Sequence, residues 1–202
     1  MDHRYAWEPF GDVASDRASL IAQCGPLRAA HLECLKGARL EASLNAQRLC
    51  RRLWAELASR PVEDFRLEMD KNGKPTASEP PLYLSLSHSG GFAAAAASFC
   101  PVGIDLQAIR PISDRVLARC YSDEERAWLS EAPEADRTER AIRLWTMKEA
   151  YGKMLGVGIF TPPCFHASFE EGQLLPAGAD ARFLFPTAPE GFLFTVCLKA
   201  GN

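Results

Sequence analysis

Two long helical stretches set among short strands limit what this chain can fold into. Residues 27–58 carry Leu32, Leu35, Leu40, Leu44, Leu49, Leu53 and Leu57 at roughly helical spacing, and residues 138–155 are rich in strong helix formers. Gly37 is placed to break the first stretch in two and Pro61 to end it, while Gly156 and Gly158 close the second. Around them, residues 4–8, 65–69, 82–86, 102–107, 165–169, 182–185 and 192–198 read as strands bounded by Gly and Pro turns, and residues 70–75 as a turn. Each part therefore reads as one long helix with a few strands, an α+β chain dividing near Cys100-Pro101 into residues 1–100 and 101–202. One segment is ambiguous. Residues 92–99 contain five consecutive alanines, which favour helix by propensity, but the flanking glycines and Pro101 leave room for only about two turns. A strand whose small side chains pack under something bulky fits equally well.

A chain of 202 residues is long enough to bury a substantial core. Its 47% hydrophobic and 24% charged residues are those of an ordinary globular protein, and a net charge of −3 argues against a nucleic-acid partner. Seven cysteines without a C-x-x-C pair read as free thiols of a reducing compartment. No apolar run is long enough to span a membrane, and residues 1–10 lack the pattern of a signal peptide, so a cytoplasmic location is expected.

Three short stretches carry candidate chemistry. On the second helix, within Leu144-Trp145-Thr146-Met147-Lys148-Glu149-Ala150-Tyr151-Gly152-Lys153, Glu149 and Lys153 stand four apart and share a face. Taken alone, such a pair is a stabilising surface contact. In Val102-Gly103-Ile104-Asp105-Leu106-Gln107, Asp105 and Gln107 leave the same face of an otherwise apolar strand. An acid there is costly unless something pairs with it, and a metal ion is one candidate. Tyr83-Leu84-Ser85-Leu86-Ser87-His88-Ser89-Gly90 ends a strand in hydroxyls, an imidazole and a glycine turn. Ser122-Asp123-Glu124-Glu125 is a capping-box pattern.

In the order SLSHS, GIDLQ and WTMKEAYGK, these stretches closely resemble the 4'-phosphopantetheinyl transferases of the surfactin-synthetase-activating type, from about Gly73 to Gly158. The resemblance implies two similar α+β halves related by a pseudo-twofold, each a long helix on a small, mostly antiparallel sheet, with the active site in the cleft between them. It makes residues 92–99 a strand. It implies that residues 1–100 contribute coenzyme A nucleotide contacts and residues 101–202 the metal and catalytic groups. The implied reaction moves the phosphopantetheine arm of coenzyme A onto a serine of an apo acyl or peptidyl carrier protein and releases adenosine 3',5'-bisphosphate. Partners are then coenzyme A and the carrier, with neither nucleic acid nor membrane, acting on a monomer.

By the same resemblance Asp105 and Glu149 match metal carboxylates for Mg²⁺, a hard cation suited to oxygen ligands and phosphates. Gln107 stands where many members have Glu; it can bind the metal directly or orient a metal-bound water, and the lost charge predicts weaker Mg²⁺ binding. Glu149 is also a candidate general base toward the carrier serine, directly or through water, and Lys153 a cation for the departing nucleotide. His88 and Ser87 are expected near the 3'-phosphate or ribose of coenzyme A, and Lys74, in Gly73-Lys74-Pro75, near the adenine nucleotide. Lys148 is expected either as a structural anchor or as a secondary phosphate contact. Trp145 reads as core. Ala42, before Ser43-Leu44, stands where members often carry a phosphate-binding arginine, and Arg39 or Lys36 is a candidate substitute. Tyr121 to Glu125 resembles the family's F-S-x-x-E element and reads as structural. A non-catalytic module binding coenzyme A or a carrier is the alternative function, favoured by Gln107 and Ala42.

Overall fold

The computed structural model describes residues 2–70, 72–157, 166–170, 173–177 and 180–200. In chain order its elements are β1 (His3–Pro9), α1 (Arg17–Ala22), α2 (Pro26–Glu33), α3 (Ala38–Ala58), a 3-10 turn (Val62–Asp64), β2 (Leu67–Met69), β3 (Pro75–Ser78), β4 (Pro81–Ser89), β5 (Phe92–Ser98), β6 (Val102–Ala108), α4 (Asp114–Cys120), α5 (Asp123–Glu131), α6 (Glu134–Leu155), β7 (His166–Glu170), β8 (Gln173–Ala177), β9 (Ala181–Leu184) and β10 (Phe192–Lys199). The chain is mixed α/β with antiparallel sheets: five strands in the order β1-β5-β4-β3-β2, three in the order β6-β10-β9, and the β7-β8 pair. Phe165 and Gly158, expected in a strand and at a helix end, lie outside the described residues.

The first long helix breaks at Gly37, whose φ of +53° only a residue without a Cβ takes cheaply. Pro26 opens α2, where its missing N–H is no loss. The second helix starts one turn earlier than its sequence suggests and ends at Gly156 in the left-handed region, as expected. Helices α1 and α4 are short and carried no sequence signal. Phe65 is not in a strand; it follows the 3-10 turn, fully buried against Trp54.

The alanine run forms β5, and alternation explains why. Ala93, Ala95 and Ala97 lie under α3 with Leu49, Leu53 and Trp54, whereas Ala94 and Ala96 face Ile104, Leu106, Phe194 and Val196. Methyl side chains on both faces let a helix and a second sheet approach one strand closely. The layers are thus α3, the five-stranded sheet, the three-stranded sheet and α6. On the last interface α6 lies so close to β6 that a Cβ at Gly103 would come 1.9 Å from the carbonyl oxygen of Ala150. Period two then settles where β6 aims its side chains: Ile104 and Leu106 enter the core between sheets, while Gly103, Asp105 and Gln107 take the α6 side.

The free edge of β6 meets β4. Strand β10 takes one edge of β6, and the other is served by serine hydroxyls: Ile104, Leu106 and Ala108 donate their N–H groups to Ser85, Ser87 and Ser89 at 3.0, 3.2 and 3.2 Å. The alternating serines of the S-L-S-H-S stretch act as a comb that satisfies three backbone donors an edge strand would otherwise leave unpaired. Among the described residues, no helix is long and apolar enough to cross a membrane.

Candidate active site

A cavity of about 740 Å³ opens where β4, β6 and α6 converge, with Ser87, His88, Asp105, Gln107, Glu149 and Lys153 on its walls. Three separated stretches of sequence thus meet. Asp105 is buried; its Oδ1 accepts from Ser87 Oγ at 2.9 Å and from Lys153 Nζ at 2.8 Å. Its Oδ2 is also buried and has no hydrogen-bond partner among the described residues, an expensive state for a carboxylate oxygen. The Lys153 ammonium also lies 3.9 Å from Glu149 Oε2, so one cation already sits against acids from strand and helix together. Burial pushes the Glu149 carboxyl above its ordinary range, with Asp105 adding to the rise and Lys153 opposing it.

This donor set fits a hard divalent cation. Two carboxylates and an amide on one cavity wall, one carboxylate oxygen being without a partner among the described residues, suit an ion that takes few protein ligands and several waters. It is not a closed all-protein cage, because among the described residues no group of three His, Cys, Asp or Glu side chains is arranged to hold a metal.

Residues 101–187 match the 4'-phosphopantetheinyl transferase superfamily. The 4'-phosphopantetheinyl transferase psf-1 of Bacillus pumilus is 36% identical over 112 residues, 55% of this chain and 48% of its own length. Sfp of Bacillus subtilis is 32% identical over 100 residues, covering 49% and 45%. The corresponding gsp of Aneurinibacillus migulanus is 28% identical over 120 residues, covering 59% and 50%. Over part of its length the chain is thus similar to these 4'-phosphopantetheinyl transferases. It spans about half the length of the curated relatives it matches.

The first 100 residues supply cations that the sequence did not single out. Arg28 of α2 is buried at the cavity wall, its Nη2 donating to Ser43 Oγ at 2.9 Å and its Nε to Gln47 Oε1 at 3.1 Å. A guanidinium thus reaches Ser43 from another helix, although Ala42 carries none. Arg39 and Lys36 do not take that place: both are exposed, and neither lines the cavity. The one sequence hint was the pair Arg28 and His31, three apart on one helix face; His31 also lines the cavity. His88 sits at the mouth, where partial desolvation and then Lys153 hold its imidazolium below the ordinary range.

Lys74 lines an adjoining cavity of about 340 Å³ that shares Arg28 and Lys153 with the first. It is not an exposed turn lysine: its Nζ donates to Met154 O at the end of α6, and burial brings its pKa down to about 8. An ammonium on the last carbonyls of a helix is favourable, and this one ties Lys74 to the end of α6. Lys148 stands apart from the cavity. It forms a buried ion pair with Glu125 Oε1 at 2.9 Å, and Glu125 also completes the capping box with Ser122. Of its two expected roles, the geometry is that of the anchor. Trp145, expected in the core, is half-buried: it packs against the cluster of Tyr121, Leu129, Ala141, Leu144 and Met147 and also forms part of the cavity wall.

Proposed function

We propose that this chain transfers the 4'-phosphopantetheine arm of coenzyme A to a serine of an apo acyl or peptidyl carrier protein, leaving adenosine 3',5'-bisphosphate. The observation that carries the proposal is the Lys153 ammonium lying against Asp105 and Glu149 at once, in a cavity that Arg28, His31 and His88 also line. Such a site takes a divalent cation between the acids and phosphates against the bases. The similarity of residues 101–187 to the transferase superfamily supports the same reading.

Asp105 and Glu149, with Gln107 directly or through water, are the residues that would hold Mg²⁺. When bound, the ion supplies charge neutralisation at the pyrophosphate. Glu149 accepts the proton of the carrier serine as its oxygen attacks phosphorus, directly or through a water. The new O–P bond replaces the P–O bond to the nucleotide, and Lys153 offsets the charge gathered on the departing phosphate. Arg28 and His88 suit the nucleotide phosphates, with Lys74 flanking the adjoining cavity. In this reading residues 1–100 and 101–202 are two similar halves about a pseudo-twofold, the cavity is the cleft between them, and the chain acts as a cytoplasmic monomer.

The test is incubation of the chain with coenzyme A, Mg²⁺ and apo carriers. A mass gain on the carrier of one phosphopantetheine arm, lost in Asp105→Ala, is expected. No gain across fatty-acid, polyketide and peptide carriers overturns the proposal.

A further inference from the structure

The serine comb on β4 contains one tooth unlike the others. Ser85, Ser87 and Ser89 each accept one N–H from the edge of β6, but only Ser87 has a site carboxylate against it: its hydroxyl donates to Asp105 Oδ1 at 2.9 Å. A serine hydroxyl has one proton to give, and this one is given to Asp105. Its acceptor side takes Leu106 N–H at 3.2 Å and faces Lys153 Nζ at 3.5 Å. The side chain is buried. Its hydrogen bonds inside the protein are thus made, which differs from the phosphate or ribose contact its place in the motif suggests.

Both protein donors to Asp105, Ser87 and Lys153, gather on the same oxygen, Oδ1. Among the described residues that leaves Oδ2 buried and without a partner. We propose that Ser87 is a positioning residue. By binding Oδ1 while itself anchored to the β6 backbone, it sets the plane of the Asp105 carboxylate and keeps Oδ2 as the oxygen available to a divalent cation. Because the same hydroxyl bonds the backbone of residue 106 and the side chain of residue 105, the register of β4 against β6 and the aim of Asp105 are held by one group. This inference rests on the proposed cation site at Asp105.

The two flanking serines are natural controls. Mn²⁺ affinity is measured by electron paramagnetic resonance on the full chain with saturating coenzyme A, beside the KM for coenzyme A. Ser87→Ala is expected to weaken Mn²⁺ binding by roughly tenfold or more, the range found when the partner of a metal ligand is removed. The KM for coenzyme A should stay near wild type. Ser85→Ala and Ser89→Ala lose the same kind of backbone bond and should lower Tm while leaving Mn²⁺ affinity unchanged, and Ser87→Thr, which keeps the hydroxyl, should restore binding. A Ser87→Ala protein with wild-type Mn²⁺ affinity and a raised KM overturns the proposal in favour of a phosphate contact. Equal loss of Mn²⁺ in all three alanine variants, or a Ser87→Thr variant as weak as Ser87→Ala, overturns it in favour of sheet register alone. Asp105→Ala separates the two layers. If it leaves Mn²⁺ binding intact, the cation site itself is wrong and the role of Ser87 falls with it. If it abolishes binding while Ser87→Ala does not, only the role of Ser87 fails.

Discussion

Lys153 Nζ lies 2.8 Å from Asp105 Oδ1 and 3.9 Å from Glu149 Oε2, so one ammonium stands against acids of strand and helix at once. It offsets the charge of both acids, and a divalent cation bound at the proposed site would meet that positive charge. Removing it should therefore help the metal and harm the chemistry. Lys153→Ala is expected to raise Mn²⁺ affinity severalfold while lowering the transfer rate by about a hundredfold or more, the scale of losing one charge-stabilising group. Titration of Mn²⁺ beside single-turnover transfer checks both; unchanged Mn²⁺ affinity contradicts the arrangement.

Glu149 is held above its ordinary pKa by burial, so in the metal-free protein the folded state keeps its proton more readily than the unfolded chain. A raised carboxyl favours folding at pH below the ordinary carboxyl value, and that contribution is lost as pH rises through the folded value. At pH 7 the charged Glu149 is consequently a cost. Glu149→Gln should raise the Tm of the metal-free protein at pH 7, the gain shrinking toward pH 4, and should abolish transfer. Thermal melts across pH check the sign.

Lys148 and Glu125 form an ion pair with almost no exposed surface. Removing one partner of a buried ion pair costs about 3–5 kcal/mol. Lys148→Met and Glu125→Gln should each show a loss on this scale in urea unfolding, with the KM for coenzyme A unchanged in whatever folded protein remains. A raised KM at full stability would instead make Lys148 a phosphate ligand.

Gly103 has no room for a side chain, since a Cβ would meet Ala150 O at 1.9 Å and Met154 N at 2.4 Å, both helix backbone. Gly103→Ala must push α6 off β6 and should destabilise by about 1–3 kcal/mol or more. Because Asp105 and Glu149 stand on these two elements, transfer should fall further than the folded fraction does. Activity tracking stability alone would separate packing from site geometry.

Gln107 lies on the cavity wall on the same side of β6 as Asp105. Gln107→Glu adds a charge to the donor set and should lower the Mg²⁺ concentration for half-maximal transfer. A titration identical to wild type would remove Gln107 from the site.

Much of this was legible in the chain because it is local. Helical spacing marked α3 and α6, Gly37 and Gly156 marked their ends, and Ser122 to Glu125 announced a capping box that is present with both its bonds. The period-two placement of Asp105 and Gln107 on β6 followed from strand geometry, and so did their shared side. What was not legible depends on neighbours distant in sequence. Arg28 reaches Ser43 and Lys148 reaches Glu125 across different helices, and nothing in the spacing of either residue shows the partner.

By itself, then, the sequence determined the long helices, most of the strands and which residue types share a face, since these are settled by backbone sterics and by repeats of 2 and 3.6 residues. Tertiary structure alone decided which cations enter the cavity, that Lys74 and Lys148 are buried, that Trp145 forms a wall, and that Ser87 gives its one proton to Asp105. The physical reason is that the energy of a charge or a hydroxyl depends on what desolvates it and what faces it. In this chain those groups lie on other strands and helices, brought near only by packing.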